Sequence, residues 1–229
     1  MSKIFITIAG MNFRYGTDIL EKGDIVVAKI EKGSHKDVKY YATWTPCTYT
    51  VNLDAKGGEC SLNSLNVLFD TSYVLPNPSK DGYNFAGWFI ANTNQQVTSG
   101  VWKFLTDLNL FAKWTPINYT ISYVLNDGIN DLDNPTSYTI ESNDIIIKNP
   151  TRAGYTFKGW NSKLGTNKFN PVIESHSTGD FSFEATWEAN LNTIVFNGNG
   201  NTSGSTQSIT GYTDSTVYLV ENGFKKSGY

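Results

Sequence analysis

The side chains that could do chemistry in this chain are few, and their spacing argues against a reaction centre. His35 and His176 lie in different regions, and neither has a Cys or His at ligand spacing, so no zinc site is expected. Ser175, His176 and Asp180 have the types of a nucleophile, a base and an orienting acid. They share one loop with no strained elbow, and the expectation is a solvated loop. Asp127, Asp131 and Asp133 could hold calcium weakly, but the loop spacing fails and the closing Glu is missing. An Asx-rich turn accounts for them better. Gly198-Asn199-Gly200 is too isolated to serve as a phosphate loop. Cys47 falls at the base of a hairpin and Cys60 near its tip, too far apart to bridge when strand residues advance about 3.3 Å each. Trp88, Trp160 and Tyr83 could form a platform for sugars. They recur at a fixed period, which favours packing in a core. The expectation is therefore no enzyme, no catalytic residue, no cofactor and no metal.

The period itself is plain. Gly82-Tyr83-Asn84-Phe85-Ala86-Gly87-Trp88 returns 72 residues later as Gly154-Tyr155-Thr156-Phe157-Lys158-Gly159-Trp160, and Gly228-Tyr229 begins it again. An Ala two residues before a Trp recurs at Trp44, Trp114 and Trp187, with spacings of 70 and 73. This is a tandem repeat of small modules. The chain is read as five segments: 1–36, a separate β segment; 37–46, the closing strand of an incomplete repeat; 47–116, repeat 1; 117–189, repeat 2; and 190–229, an incomplete repeat 3. The ending at Tyr229 is expected to mark a fragment.

Units of about 70 residues have difficulty burying enough apolar surface. The 6 Trp, 13 Tyr and 13 Phe relieve this, because each ring buries a large area. A net charge of −3 and 17% charged residues give no reason to expect nucleic acid or an anionic membrane as the main partner. No apolar run is long enough for a transmembrane helix. The first ten residues are too short and too rich in β-branched residues for an export signal.

The fold class is expected to be mainly β, a β-rich α+β. Residues 4–8 and 25–30 read as strands flanking a turn at 21–24. Val38, Tyr40, Ala42 and Trp44 alternate as a half-buried strand, spliced near His35 to a poorly packed head. In repeat 1, Tyr49, Val51 and Leu53 face inward, Lys56-Gly57-Gly58 turns, and Val67, Phe69, Tyr73 and Val74 supply a second apolar stretch. Pro76 and Pro78 exclude a central strand or a helix interior. Residues 91–100 read as a loop and 101–105 as a short helical turn. Leu108, Leu110, Ala112 and Trp114 close the unit.

Repeat 2 follows the same plan, with Tyr119, Ile121 and Tyr123 inward, a turn at Asn126-Asp127-Gly128, and Phe181, Phe183, Ala185 and Trp187 closing. Repeat 3 offers Ile194, Phe196 and then 217–220, and is expected to be the least stable part. Strict alternation would put Trp88 and Trp160 on the opposite face from Tyr83 and Phe85, or Tyr155 and Phe157. In the second copy that face carries Thr156 and Lys158 and should be wet. A β-bulge at Gly87 and Gly159 would return each indole to the core.

The Tyr-Thr-Val-x-Leu-Asp-Ala-x-Gly-Gly run from Tyr49 to Gly58, the Pro-x-Pro stretch, Gly-Tyr-x-Phe-x-Gly-Trp and the closing Phe-Ala-Lys-Trp together resemble the Listeria–Bacteroides repeat, the internalin B B-repeat, over about 38–229. The resemblance implies tandem β-grasp-like modules on bacterial surface or secreted proteins, with Tyr83, Phe85, Gly87, Trp88, Trp114, Tyr155, Phe157, Gly159, Trp160 and Trp187 as the structural motif. It implies a monomeric spacer or adhesion module with a protein or glycan ligand, at the cell surface. Residues 10–16 and 20–24 resemble the opening of the HIRAN domain, which implies DNA-end binding by the head, in a cytoplasmic protein, as the alternative.

Overall fold

The computed structural model describes the backbone of residues 11–15 and 18–19 and the chain from 43 to 229, with side chains from residue 45 onward. The strands read at 4–8 and 25–30, the turn at 21–24, His35 and most of the 38–44 strand lie outside the described residues. The chain forms two compact units that divide between Thr115 and Pro116. In the first, strands β1 (Met11–Tyr15), β2 (Asp18–Ile19) and β3 (Thr43–Pro46) make a small sheet in the order β2-β1-β3.

Repeat 1 follows with β4 (Thr48–Asp54), β5 (Ser64–Leu68), β6 (Ser72–Tyr73), β7 (Tyr83–Ile90), β8 (Gln96–Val97), β9 (Gly100–Val101) and β10 (Leu108–Pro116). Its main sheet has the order β5-β4-β10-β7-β8. The first long strand, β4, runs parallel to the last, β10, so the two ends of the module meet in the middle of its sheet. Alternation in β4 buries Tyr49, Val51 and Leu53 and leaves Thr48, Asn52 and Asp54 in water. These residues join Leu110, Ala112, Trp88 and Trp102 in one core.

The second unit repeats the arrangement. It contains β11 (Tyr119–Val124), β12 (Ser137–Tyr138), β13 (Ile145–Ile146), β14 (Tyr155–Ser162), β15 (Gly165–Lys168), β16 (Val172–Ile173) and β17 (Phe181–Ala189). Its sheet order is β12-β11-β17-β14-β15, with β11 parallel to β17. A separate core holds Ile121, Tyr138, Ile147, Trp160, Ile173, Phe181 and Phe183. The chain continues into β18 (Leu191–Ile194) and β19 (Ile209–Tyr212), a two-stranded sheet.

The fold is mainly β, as expected: the described residues contain no helix. Several local expectations need correction. The helical turn expected at 101–105 does not form. Trp102 donates its amide to the Thr71 carbonyl at 2.9 Å and accepts from the Asp70 amide at 2.9 Å, which takes the backbone groups a helix would need. Residues 91–100 are not all loop, because Val97 pairs with Trp88 and is buried. Val74 is exposed, and Leu75 takes the inward place. In the third segment the strand is at Ile209–Tyr212, and Tyr218 and Leu219 lie exposed.

The bulge expected at Gly159 is present. Phe157 pairs with Trp187, and the next pair is Gly159 with Thr186, so Lys158 is the extra residue. Gly159 has φ 121°, and Gly87 has φ 129° in the first copy, a region that favours glycine. Trp160 is then 0% exposed and Trp88 2%. A Cβ on Gly159 would lie 2.3 Å from the backbone carbon of Asn167, whereas one on Gly87 would meet the movable end of Gln96 at 2.3 Å. Gly159→Ala is therefore expected to destabilise its unit by about 3 kcal/mol or more, from strain and overpacking together. Gly87→Ala should cost about 1–2 kcal/mol, from strain alone. Urea unfolding of the two variants should rank them in that order.

Candidate functional site

The recurring rings make one arrangement, built twice. In repeat 1, Phe85 sits 5.6 Å from Trp88 and 5.5 Å from Trp114 between ring centroids. In repeat 2, Phe157 sits 5.4 Å from Trp160 and 5.3 Å from Trp187. Each phenylalanine is thus wedged between an indole from its own strand and one from the closing strand, mostly edge to face.

The indole N–H groups are partnered in the same way in both copies. Trp88 donates to the Pro76 carbonyl at 2.8 Å, and Trp160 to the Lys148 carbonyl at 3.3 Å. Trp114 donates to the Ala55 carbonyl at 2.9 Å, and Trp187 to the Leu125 carbonyl at 2.9 Å. One indole therefore ties down the crossover segment and the other ties down the first hairpin. That hairpin shows a requirement the sequence reading missed. A Cβ on Gly58 would lie 2.5 Å from the Trp114 ring, and one on Gly128 would lie 2.5 Å from the Trp187 ring. The second glycine of Gly57-Gly58 provides room for an indole, while the left-handed turn falls on Lys56 and Gly57. The recurrence of Gly58 as Gly128, at nearly the offset separating Trp114 from Trp187, was the available signal.

Tyr83 and Tyr155 open the motif at the rim. Lys80 lies 4.3 Å above the Tyr83 ring, and Arg152 lies 3.8 Å above the Tyr155 ring. Arg152 also donates to the Asn126 carbonyl at 2.9 Å and pairs with Asp127 at 3.3 Å.

The polar residues considered for chemistry are placed otherwise. Asp180 accepts the Thr120 amide at 2.7 Å, as Asp107 accepts the Thr50 amide at 2.8 Å, so both carboxylates anchor the start of the opening strand. Ser175 donates its amide to Asp144 at 2.7 Å, and His176 sits in a turn at φ 64°. Asp131 accepts the Asp133 amide at 3.0 Å in an Asx turn, and Asp133 pairs with Lys148. That hydrogen bond lowers the Asp133 pKa and raises that of Lys148. Cys47 and Cys60 form no disulfide and lie half-buried against the first core. Among the described residues, no group of three or more His, Cys, Asp or Glu is placed to hold a metal ion.

The sequence profile of the Listeria-Bacteroides repeat domain matches residues 49–113 and again 119–186. The chain belongs to this family. Each Listeria-Bacteroides match runs from the inward tyrosine of the first long strand to the closing strand. It does not extend to residues 1–46, so the HIRAN likeness gains no support from it. A putative Gly-rich membrane protein of Evansella cellulosilytica is 30% identical over 70% of this chain, and a putative membrane protein of the same organism is 29% identical over 56%. Internalin H of Listeria monocytogenes is 28% identical over 63%. The chain spans only 18%, 20% and 26% of the lengths of these three relatives. No solved structure matches it.

Two outcomes follow. Phe157→Ala removes the ring shared by Trp160 and Trp187 and should lower the stability of the second unit by about 3 kcal/mol, measured by thermal unfolding. Burial pushes the Tyr123 pKa up to about 12, and its hydroxyl donates to the Pro135 carbonyl at 2.8 Å. The unfolded chain releases the same proton near pH 10. The stabilisation is thus complete below about pH 10 and is lost as pH rises through about 12. Tyr123→Phe should flatten that alkaline decline in Tm between about pH 10 and 12.

Proposed function

We propose that the chain is a non-catalytic repeat array that serves as a spacer at a bacterial cell surface, with adhesion to a protein or glycan as its further role. The observation that carries this reading is the placement of the motif rings. Trp88 and Trp160 are 2% and 0% exposed, and their N–H groups are already partnered. They build two matching cores in series, and neither of these two indoles is available as a platform for a sugar. Relatives named as membrane proteins and as an internalin support a surface setting. No helix among the described residues is long and apolar enough to cross a membrane.

A spacer also needs its modules held in register, and the second unit contains such a joint. Asn190 donates its amide to the Gly154 carbonyl at 2.9 Å and accepts the Thr213 amide at 2.9 Å. Tyr155 donates its hydroxyl to Asp214 at 2.7 Å, a bond that raises the tyrosine pKa. Repeat 2 thus grips the following segment through polar bonds formed by its own Gly-Tyr motif.

Pulling the full chain from its two ends should give two similar unfolding events, each releasing on the order of 200 Å for some 65 ordered residues. A single merged event would overturn the independent-module reading. Protease treatment of intact native cells should remove the protein, and finding it only in the protected cytosolic fraction would overturn the surface assignment.

A further inference from the structure

Two residues of the recurring motif do not serve the core that the motif builds. Trp160 belongs to the second core, and Phe157 and Trp187 pack against it, but Tyr155 does not. Gly154 has φ 77°, and a Cβ placed on it would lie 2.6 Å from Cγ2 of Thr213 and 2.9 Å from its Oγ1. Beyond its chain neighbours, the three nearest heavy atoms to that Cβ all belong to Thr213, and none to repeat 2. The space that Gly154 leaves is filled by the segment that follows.

Tyr155 is held from one side and used from the other. Arg152 lies 3.8 Å over its ring, and that guanidinium is itself fixed by the Asn126 carbonyl at 2.9 Å and by Asp127 at 3.3 Å. The Tyr155 hydroxyl donates to Asp214 at 2.7 Å. Asp214 stands two residues past the end of β19 at φ 60°, a left-handed conformation uncommon for a residue with a side chain. The Ser215 amide closes that turn on the Tyr212 carbonyl at 3.1 Å.

The linker between the two parts is a single residue, Asn190, between Ala189 of β17 and Leu191 of β18. Its amide donates to the Gly154 carbonyl at 2.9 Å, and its side-chain oxygen accepts the Thr156 hydroxyl at 2.6 Å. Its carbonyl accepts the Thr213 amide at 2.9 Å and the Asn192 side-chain amide at 3.2 Å. Asn192 also donates to the Thr213 hydroxyl at 3.1 Å. A one-residue linker bonded in this way cannot rotate without losing several hydrogen bonds together.

We propose that Gly154-Tyr155 is a socket for the adjoining module, that its occupant is the Thr213-Asp214 turn, and that the two make Asn190 a stiff joint. The glycine is there for the neighbour's threonine methyl, and the tyrosine for the neighbour's carboxylate. β18 and β19 then move with repeat 2 as one body. This deepens the spacer reading, because a spacer jointed in this way holds its reach instead of flexing at that junction.

Amide hydrogen exchange of the full chain tests it, since exchange reads local opening. The amides of Asn190 and residue 213 report the joint. Those of Ile121 and Ile147, bonded to the Thr136 and Pro171 carbonyls, report the second core. Tyr155→Phe should lower protection at the joint amides about tenfold and leave the core amides unchanged. Gly154→Ala should lower the joint amides at least as much. Its positive φ is strained whatever the neighbour does, so removing the threonine separates the two causes. Thr213→Ala alone should lower protection at Asn190, because it loses the Asn192 bond. Added to Gly154→Ala it should raise that protection, because the nearest remaining atom, the Cβ of residue 213, is at an ordinary 3.4 Å. Thr213→Ala lowering protection in both backgrounds overturns the proposal. So do joint amides that keep wild-type protection in Tyr155→Phe or Gly154→Ala, or core amides that lose as much as the joint does. None of these readouts depends on where the protein resides in the cell, so a failed joint leaves the surface assignment standing.

Discussion

One inserted residue ahead of an indole governs the architecture of repeat 2. Without the bulge at Lys158-Gly159, the strand that begins at Tyr155 would send Trp160 to the wet face beside Lys158. With it, the indole reaches a position of zero exposure, and Phe157 can touch both tryptophans. The hydroxyl of Thr186 donates to the Gly159 carbonyl at 2.7 Å, which fixes the bulge to the closing strand. The closing strand in turn lies parallel to the opening strand. The bulge, the two indoles and the central parallel pair therefore depend on one another, which makes a module of this size cooperative despite its small core.

Legibility in the sequence followed the range of the interactions. The period, the inward sets Tyr49-Val51-Leu53 and Phe181-Phe183-Ala185, and the bulge were readable, because alternation and a misplaced tryptophan are local signals. The role of Trp102 was not. Its neighbours 103–107 carry no alternation, and its backbone is held by residues 70 and 71, some thirty positions away. Gln96 and Val97 were hidden for the same reason, since only the partner strand at Trp88 makes them strand residues. Gly58 was misread because a glycine beside a turn suggests backbone freedom, whereas what it supplies is space beneath Trp114. The head's likeness to the later half of a repeat was obscured by divergence: Met11 stands where the repeats have tyrosine and no Gly-Trp follows Phe13 and Arg14, whereas Phe13 pairs with Trp44 as Phe157 pairs with Trp187.

Polar side chains in this protein mostly hold backbone in place. Asp107 and Asp180 fix the opening strands, Asn134 is 8% exposed and accepts the Lys148 amide at 2.7 Å, and Ser99 accepts the Leu75 amide at 3.0 Å. Such bonds satisfy buried backbone donors in crossover segments that have no regular ladder to join. The exposed ion pairs, among them Lys158 with Glu188 and Lys56 with Asp54, contribute little to stability. The asparagine- and threonine-rich composition therefore fits a fold of long connections between short strands.

The two repeats reach the same packing by distributing ring volume differently. In the paired central strands, repeat 1 has Leu53, Leu108 and Leu110 where repeat 2 has Tyr123, Phe181 and Phe183. Repeat 1 restores the volume from the crossover side, with Trp102 fully buried against Tyr73 at 5.2 Å and Phe104 at 5.0 Å. Repeat 2 has the smaller Ile173 buried on that side. Total volume is kept while its source moves from sheet to crossover, the kind of exchange that cores tolerate. The exchange carries a cost: among the described residues, the Trp102 indole N–H is buried with no hydrogen-bond acceptor, a loss of about 1–3 kcal/mol. The Phe85 and Phe157 wedges, by contrast, are the same in both copies, because a positive-φ glycine, the hairpin glycine and both indole hydrogen bonds recur around that ring. A position constrained from four directions has no equivalent exchange open to it, so the phenylalanine recurs while the rings around it vary.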